Sequence, residues 1–198
     1  MITIIIFIVI AYLCGSLSSA VIIAKLMGLP DPRTKGSGNP GTTNMLRLGG
    51  RTAAILTLLG DALKGFIPVL IAYLFNVEGL ALGFVAFAAF LGHLYPVFFK
   101  FQGGKGVATF LGSMFALSIP IAIAVVLTWL VIALLFRFAS LAAIIATLIA
   151  PLYAIIFKEY GLIIPILAMT LLVIWRHRGN IQRLRFGTES KIKLTKKK

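Results

Sequence analysis

Residues 107–136, VATFLGSMFALSIPIAIAVVLTWLVIALLF, run for 30 positions without a charged side chain and carry one proline, Pro120. As a single helix this stretch would be about 45 Å long, against a bilayer hydrocarbon core of about 30 Å. One crossing would put Arg137 and every later basic cluster outside the cell. Two short crossings broken near Pro120 return Arg137 to the cytoplasm, where the positive-inside rule places short basic loops. A re-entrant hairpin would preserve the same sidedness. The reading with two crossings, adopted here, fixes the topology of everything around it.

Working outward, further apolar runs occupy 2–27, 52–75, 79–99, 139–157 and 160–175. Apolar residues make up 60% of the chain and mean hydropathy is +1.06, above the roughly 45–50% apolar content of soluble domains. Backbone groups in hydrocarbon must be satisfied internally, and these runs lack the alternation of barrel strands, so helices are expected. The predicted fold is an all-α integral membrane protein of seven transmembrane helices in one domain over residues 1–198. Five helices plus a re-entrant loop is the alternative. Residues 1–27 carry no basic n-region or cleavage site and are expected to remain as the first span. Arg33, Lys35, Arg47 and Arg51 place the loop 28–51 in the cytoplasm, so the N-terminus is expected outside and the C-terminus in the cytoplasm.

Net charge is +14, concentrated in Arg176, Arg178, Arg183, Arg185 and the tail lysines 191, 193 and 196–198. Beside a membrane such a cluster meets anionic lipid headgroups. No soluble aromatic-bearing domain accompanies it, so nucleic acid is not an expected partner. The lone cysteine, Cys14, lies inside a span and reads as a packing residue.

Three cytoplasmic segments are richer in glycine and hydrogen-bonding groups than a connector needs. Gly36, Ser37, Gly38, Asn39, Gly41, Thr42, Thr43 and Asn44, followed by Arg47, combine φ-permissive positions, hydroxyls and a guanidinium, the parts of a phosphate cradle. The bland alternative is a capped tight turn. Gly103, Gly104, Lys105 and Gly106 lead into a helix at Val107, whose free amides favour an anion. This is not a Walker A loop, because Phe99 stands where that motif needs glycine and Gly106 where it needs Ser or Thr. His177 and Asn180, three apart on a continued helix, would share a face and reach a bound phosphate. They read equally well as interfacial polar residues. Asp61 and Lys64, one turn apart, are expected to pair within the membrane and organise the site, with His93 as a supporting hydrogen-bonder. Ser140 reads as a helix cap or as part of the site lining.

Neither an HxxxxD arrangement nor a G-x-S-x-G elbow occurs, and five acidic residues in all make a metal–carboxylate cluster implausible. No metal and no cofactor are expected. The runs Gly36–Asn44, Asp61-Ala62-Leu63-Lys64-Gly65, and Gly92–Pro96 through Gly103–Thr109 resemble the signatures of the bacterial acyl-phosphate:glycerol-3-phosphate acyltransferases, the PlsY family. Ala11–Ser16 and Asn180–Arg183 are similar to it as well, so the resemblance spans nearly the whole chain. It implies a seven-helix enzyme of phospholipid synthesis in the bacterial inner membrane, with its active site open to the cytoplasm. Its substrates would be acyl-phosphate, in place of acyl-CoA or acyl carrier protein, and glycerol 3-phosphate; its products would be lysophosphatidic acid and phosphate.

On that reading Ser37, Asn44, Lys105 and His177 are the expected catalytic residues. Gly36, Gly38, Asn39, Gly41, Thr42, Thr43, Arg47, Lys64, Gly103, Gly104, Gly106, Ser140 and Asn180 are expected to bind substrate or phosphate. Asp61 and His93 are expected to support them. No acyl-enzyme is expected, since the substrate phosphate can itself take the hydroxyl proton. A transporter of a small phosphorylated anion is the rival reading, but the glycine-rich segments fall at span ends and no inverted repeat is visible.

Overall fold

The computed structural model describes residues 1–192; Lys193 and the tail lysines 196–198 lie outside them. The described residues form nine α-helices and no strand. In chain order these are α1 (Ile2–Gly15), α2 (Ser19–Leu26), α3 (Thr42–Leu74), α4 (Gly79–Leu94), α5 (Val107–Leu117), α6 (Ile119–Phe136), α7 (Ala139–Ile156), α8 (Ile163–Arg176) and α9 (Arg178–Arg185). Single 3-10 turns at Val97–Phe99 and Tyr160–Leu162 precede α5 and α8.

Length and composition qualify five segments to cross a bilayer, or six when the bent α8–α9 pair is counted as one. Residues Ile2–Leu26 form one of them although the helix breaks at Ser16–Ser18. The Leu17 carbonyl freed by this break accepts a hydrogen bond from Lys64 Nζ at 2.7 Å, and Ser16 Oγ turns back to Tyr12 O at 2.8 Å. α5 has 11 residues, about 16 Å, which is roughly half the hydrocarbon thickness. Ser118, extended, reverses the chain between α5 and α6.

The run expected at 52–75 is longer than hydropathy suggests. α3 starts at Thr42 and continues for 33 residues, about 50 Å, through a kink where Gly50 adopts φ 73°. Thr42, Thr43, Asn44 and Arg47 therefore stand on a helix, not in a loop. The two helical stretches meet at Gly50 because only glycine takes that backbone conformation without strain.

Small residues bring the helices together, as expected where lipid removes the hydrophobic drive for packing. A methyl group on Gly15 would fall 2.0 Å from Ala89 O, and one on Gly112 2.0 Å from Ala62 O, so α1 meets α4 and α5 meets α3 backbone to backbone. Leucine and isoleucine side chains cover the outside of the bundle, while Phe90, Phe110, Met114, Ile166 and Met169 fill one core cluster. A groove of about 1010 Å³ opens between α3 and α5; Glu78, Ser118 and Glu159 share its lining.

Candidate active site

The Ser37 turn is built from below. Gly36 has φ 65°, and a Cβ there would sit 2.1 Å from Asn44 Oδ1, so both conformation and space demand glycine. Asn44, buried in the first turn of α3, spends its whole amide on this turn. Oδ1 accepts the Ser37 N–H at 2.9 Å, and Nδ2 donates to Pro32 O at 2.9 Å and Lys35 O at 3.0 Å. Expected among the catalytic residues, Asn44 is placed as the scaffold of Ser37. Asp31 and Arg33 pair at 2.7 Å, and Arg33 Nη1 donates to Phe99 O at 3.4 Å, tying this loop to the turn that precedes the second segment. The Arg33 guanidinium beside it holds Asp31 below the usual carboxylate range.

The glycine loop is clamped between two elements. A Cβ on Gly104 would lie 2.2 Å from His93 Nε2, and Gly104 N donates to His93 O at 3.2 Å. From the other side Arg176 donates to Gly104 O at 3.0 Å and Gly103 O at 2.6 Å. Gly106 takes φ 87° and turns the chain into α5. Among the described residues, the amides of Lys105 and Gly106 donate to no protein group; the first α5 bond runs from Phe110 N to Gly106 O.

Lys105 Nζ donates to Asn180 Oδ1. Burial, then the cations of Arg183, Arg176 and Arg47, push Lys105 down to about 8. His177 does not continue α8. It is the joint at which α8 and α9 bend by 56°. Its Nδ1 meets Val173 O at 2.8 Å and so carries the proton, which leaves Nε2 as an acceptor. Burial and the nearby Lys105 cation lower His177 to about 4, so the ring is neutral. The bend leaves both His177 and Asn180 buried, although they do not share a helix.

A pocket of about 390 Å³ gathers these parts. Ser37, Gly38 and Asn39 line it from the first segment, and Gly103 and Lys105 from the second. The third contributes Arg176, Arg178, Gly179, Asn180, Gln182 and Arg183. Gly36, Gly41, Thr42, Thr43, Asn44, Arg47, Gly104, Gly106, Ser140 and His177 are not in that lining. Most of them adjoin residues that are, and exposed Arg47 acts on Lys105 through its charge.

Lys64 pairs with Asp61 as expected, but it is not in the pocket lining it was expected to serve. It is buried mid-α3, with Nζ 2.8 Å from Asp61 Oδ1 and donating to Leu17 O, so it braces the first span instead of reaching the pocket. His93 Nδ1 lies 3.5 Å from the same carboxylate oxygen, connecting this intramembrane pair to the glycine loop. No group of three or more His, Cys, Asp or Glu side chains able to hold a metal occurs among the described residues.

Sequence reasoning missed Glu189. Its Oε1 accepts from Ser140 Oγ at 2.8 Å and Asn180 Nδ2 at 2.7 Å, and its Oε2 from Arg183 Nε at 2.7 Å. Burial opposes ionisation here, but the bonds from Asn180, Ser140 and Arg183 hold the carboxyl below its ordinary range. Ser140 thus reaches the site through Glu189. An isolated acid in a basic tail was the available signal. Arg176 was read only as flanking charge.

Residues 5–187 match the glycerol-3-phosphate acyltransferase family. A glycerol-3-phosphate acyltransferase of Coxiella burnetii (strain RSA 493 / Nine Mile phase I) is 57% identical over 190 residues, covering 96% of this chain and 98% of that protein. One from Methylococcus capsulatus is 53% identical over 183 residues, 92% of each chain. The crystal structure of PlsY, an integral membrane glycerol 3-phosphate acyltransferase, in its glycerol 3-phosphate form superposes with a TM-score of 0.91 at 43% identity, covering 96% of both chains. Its lysophosphatidic acid form gives 0.88 at 43% identity, covering 95% of this chain and 94% of that one.

Proposed function

Because the chain belongs to the glycerol-3-phosphate acyltransferase family and is a multi-pass membrane protein, we propose that it takes its acyl group from acyl-phosphate. The acyl group passes to the 1-hydroxyl of glycerol 3-phosphate, giving lysophosphatidic acid and inorganic phosphate. The observation that carries this reading is the convergence of three distant segments on one small pocket lined by glycines, amides, a serine and the cations Lys105, Arg176, Arg178 and Arg183. Such a lining suits phosphate oxygens. Among the described residues that lining includes no aromatic side chain.

Acyl-phosphate is an activated mixed anhydride, so the protein has mainly to position and neutralise. The amides of Lys105 and Gly106, with Lys105 Nζ, hold one phosphate; Ser37, Gly38 and Asn39, with Arg47 near, hold the other. The neutral His177 Nε2 accepts a glycerol hydroxyl, and Asn180, aligned by Glu189, helps seat that substrate. The 1-hydroxyl oxygen attacks the acyl carbonyl, the carbon–oxygen bond to phosphate breaks, and the leaving phosphate takes the hydroxyl proton. No side chain is acylated. Orientation of this kind can supply about 7–11 kcal/mol of the barrier, and a donor at the developing oxyanion about 3–4 kcal/mol more.

The reading includes a topology: seven membrane-embedded helical segments in the bacterial inner membrane, N-terminus outside, C-terminus and active site cytoplasmic. In support, Ser118 at the α5–α6 reversal lines the same groove as Glu78 and Glu159, the two turns beyond the far ends of α3 and α7. Arg47, Lys105 and Arg176 belong to the opposite, basic side. That arrangement lets short α5 reverse direction without crossing the full core.

Purified protein in detergent, given acyl-phosphate and glycerol 3-phosphate, is expected to form lysophosphatidic acid and phosphate in equal amounts without CoA, ATP or metal. Turnover with acyl-CoA but not with acyl-phosphate would reject the donor assignment.

A further inference from the structure

Arg176 is given no step in the chemistry above, yet it ends α8, lines the pocket and reaches Gly103 O at 2.6 Å and Gly104 O at 3.0 Å. Its guanidinium carbon lies 5.9 Å from the Tyr95 ring centroid, so the planar group is seated on a ring while it donates to two successive carbonyls. We infer that Arg176 is a positioning residue that occupies the Gly103 and Gly104 carbonyl oxygens so that the loop presents its amides, and not its lone pairs, to substrate phosphate. The inference rests on the phosphate-binding reading of this loop and names what shapes it.

The argument follows from peptide geometry. In a trans peptide the carbonyl and the following N–H point in opposite directions. Fixing Gly104 O toward Arg176 therefore aims the Lys105 N–H the other way, and that amide has no protein partner among the described residues. The preceding peptide is held at both ends, Gly103 O by Arg176 and Gly104 N–H by His93 O at 3.2 Å.

Two neighbouring carbonyls drawn to one side repel each other and would repel a phosphate. A cation bridging both removes that penalty. A guanidinium does so through a rigid fork of donors, whereas an ammonium is a point charge on a flexible stem. His93 closes the other side, since its ring leaves no room for a side chain at Gly104. The loop is thus held between a ring and a guanidinium.

The test compares wild type, Arg176→Gln and Arg176→Lys in detergent. It reads the Michaelis constant for each substrate, product inhibition by inorganic phosphate, and the rise in unfolding temperature that inorganic phosphate causes. Both variants are expected to raise the Michaelis constant for one phosphorylated substrate by roughly tenfold or more, the scale of a lost charge-assisted contact. The other substrate's constant should stay within about twofold, because the second phosphate is bound by the Ser37 turn. Phosphate inhibition should weaken by the same factor as the affected constant.

Arg176→Lys with wild-type constants would overturn the inference, since charge alone would then suffice. So would equal rises for both substrates, or no rise at all. Should Arg176→Gln fail to fold, Arg176→Lys, which keeps the interfacial charge, carries the same comparison. A wild type inert toward acyl-phosphate but stabilised by inorganic phosphate, with the variants losing that stabilisation, would sink the donor assignment and leave this inference standing.

Discussion

The ammonium of Lys105 is expected to set an upper pH limit on activity. Burial and surrounding guanidinium groups lower it to about 8, whereas a free lysine holds its proton to beyond pH 10. The sign is fixed by charge: protonated Lys105 attracts phosphate and neutral Lys105 does not. With a value of about 8 the free enzyme is about nine-tenths protonated at pH 7 and about one-tenth at pH 9. kcat/KM should therefore be level below pH 7 and fall about tenfold per pH unit above 8. A charge-assisted hydrogen bond contributes about 1.5–3 kcal/mol, so Lys105→Met should lower kcat/KM by about 10- to 150-fold at neutral pH. Lys105→Arg keeps its charge through the range, because guanidinium does not titrate below pH 12. Its geometry toward Asn180 differs, so its plateau should be lower, but its alkaline limb should be gone. The assay is lysophosphatidic acid formation between pH 6 and 10, with protein-free controls for acyl-phosphate hydrolysis. A wild-type profile flat to pH 9.5, or the same limb persisting in Lys105→Arg, would refute the assignment of the limb to this ammonium.

Two further perturbations probe what holds the loop. Gly104→Ala puts a methyl group into the His93 ring and should destabilise by about 1–3 kcal/mol, the scale of overpacking; adding His93→Ala should recover part of it. Thermal unfolding in detergent checks this, and a double variant no better than the single would show that the clash is not with the ring. Lys64→Met strands the Asp61 carboxylate and the Leu17 carbonyl inside the membrane. Breaking a buried pair costs about 3–5 kcal/mol, while replacing both partners costs much less. Lys64→Met combined with Asp61→Leu should therefore unfold closer to wild type than Lys64→Met alone, and the reverse order would reject the pairing as the cause.

Residue type and spacing picked out the segments that meet at the pocket, because glycine, hydroxyl and cation in one short run have few purposes. Ser37, Gly38, Asn39, Gly103, Lys105 and Asn180 were singled out on those grounds, and all six line it. What could not be read is whatever depends on a partner far along the chain. Residues 2–27 look like one helix, and the break at Ser16–Ser18 is supported by Lys64, 47 positions away from Leu17. Residues 42–51 look like a polar loop because hydropathy reports depth in the bilayer and not backbone conformation. A helix can start in the aqueous layer and enter the hydrocarbon after a glycine kink, as α3 does at Gly50. That Asn44 scaffolds the Ser37 turn was hidden for a related reason. Sequence places an amide near a phosphate loop but cannot show that its donors and acceptor are already used.

Glu189 illustrates how the third segment works. Asn180 sits between two opposite charges, accepting from Lys105 with its oxygen and donating to Glu189 with its nitrogen. That pairing fixes which way the amide faces. A flipped Asn180 would aim its NH2 at the ammonium and its oxygen at the carboxylate, two repulsions in place of two attractions. The same carboxylate holds Arg183 and Ser140, so one acid from the tail aligns groups on α7 and α9 that no local sequence signal connects. Four cations line the pocket, and a single carboxylate outside the lining orders Asn180 and Arg183 within it. It does so while keeping the excess positive charge that an anionic substrate requires.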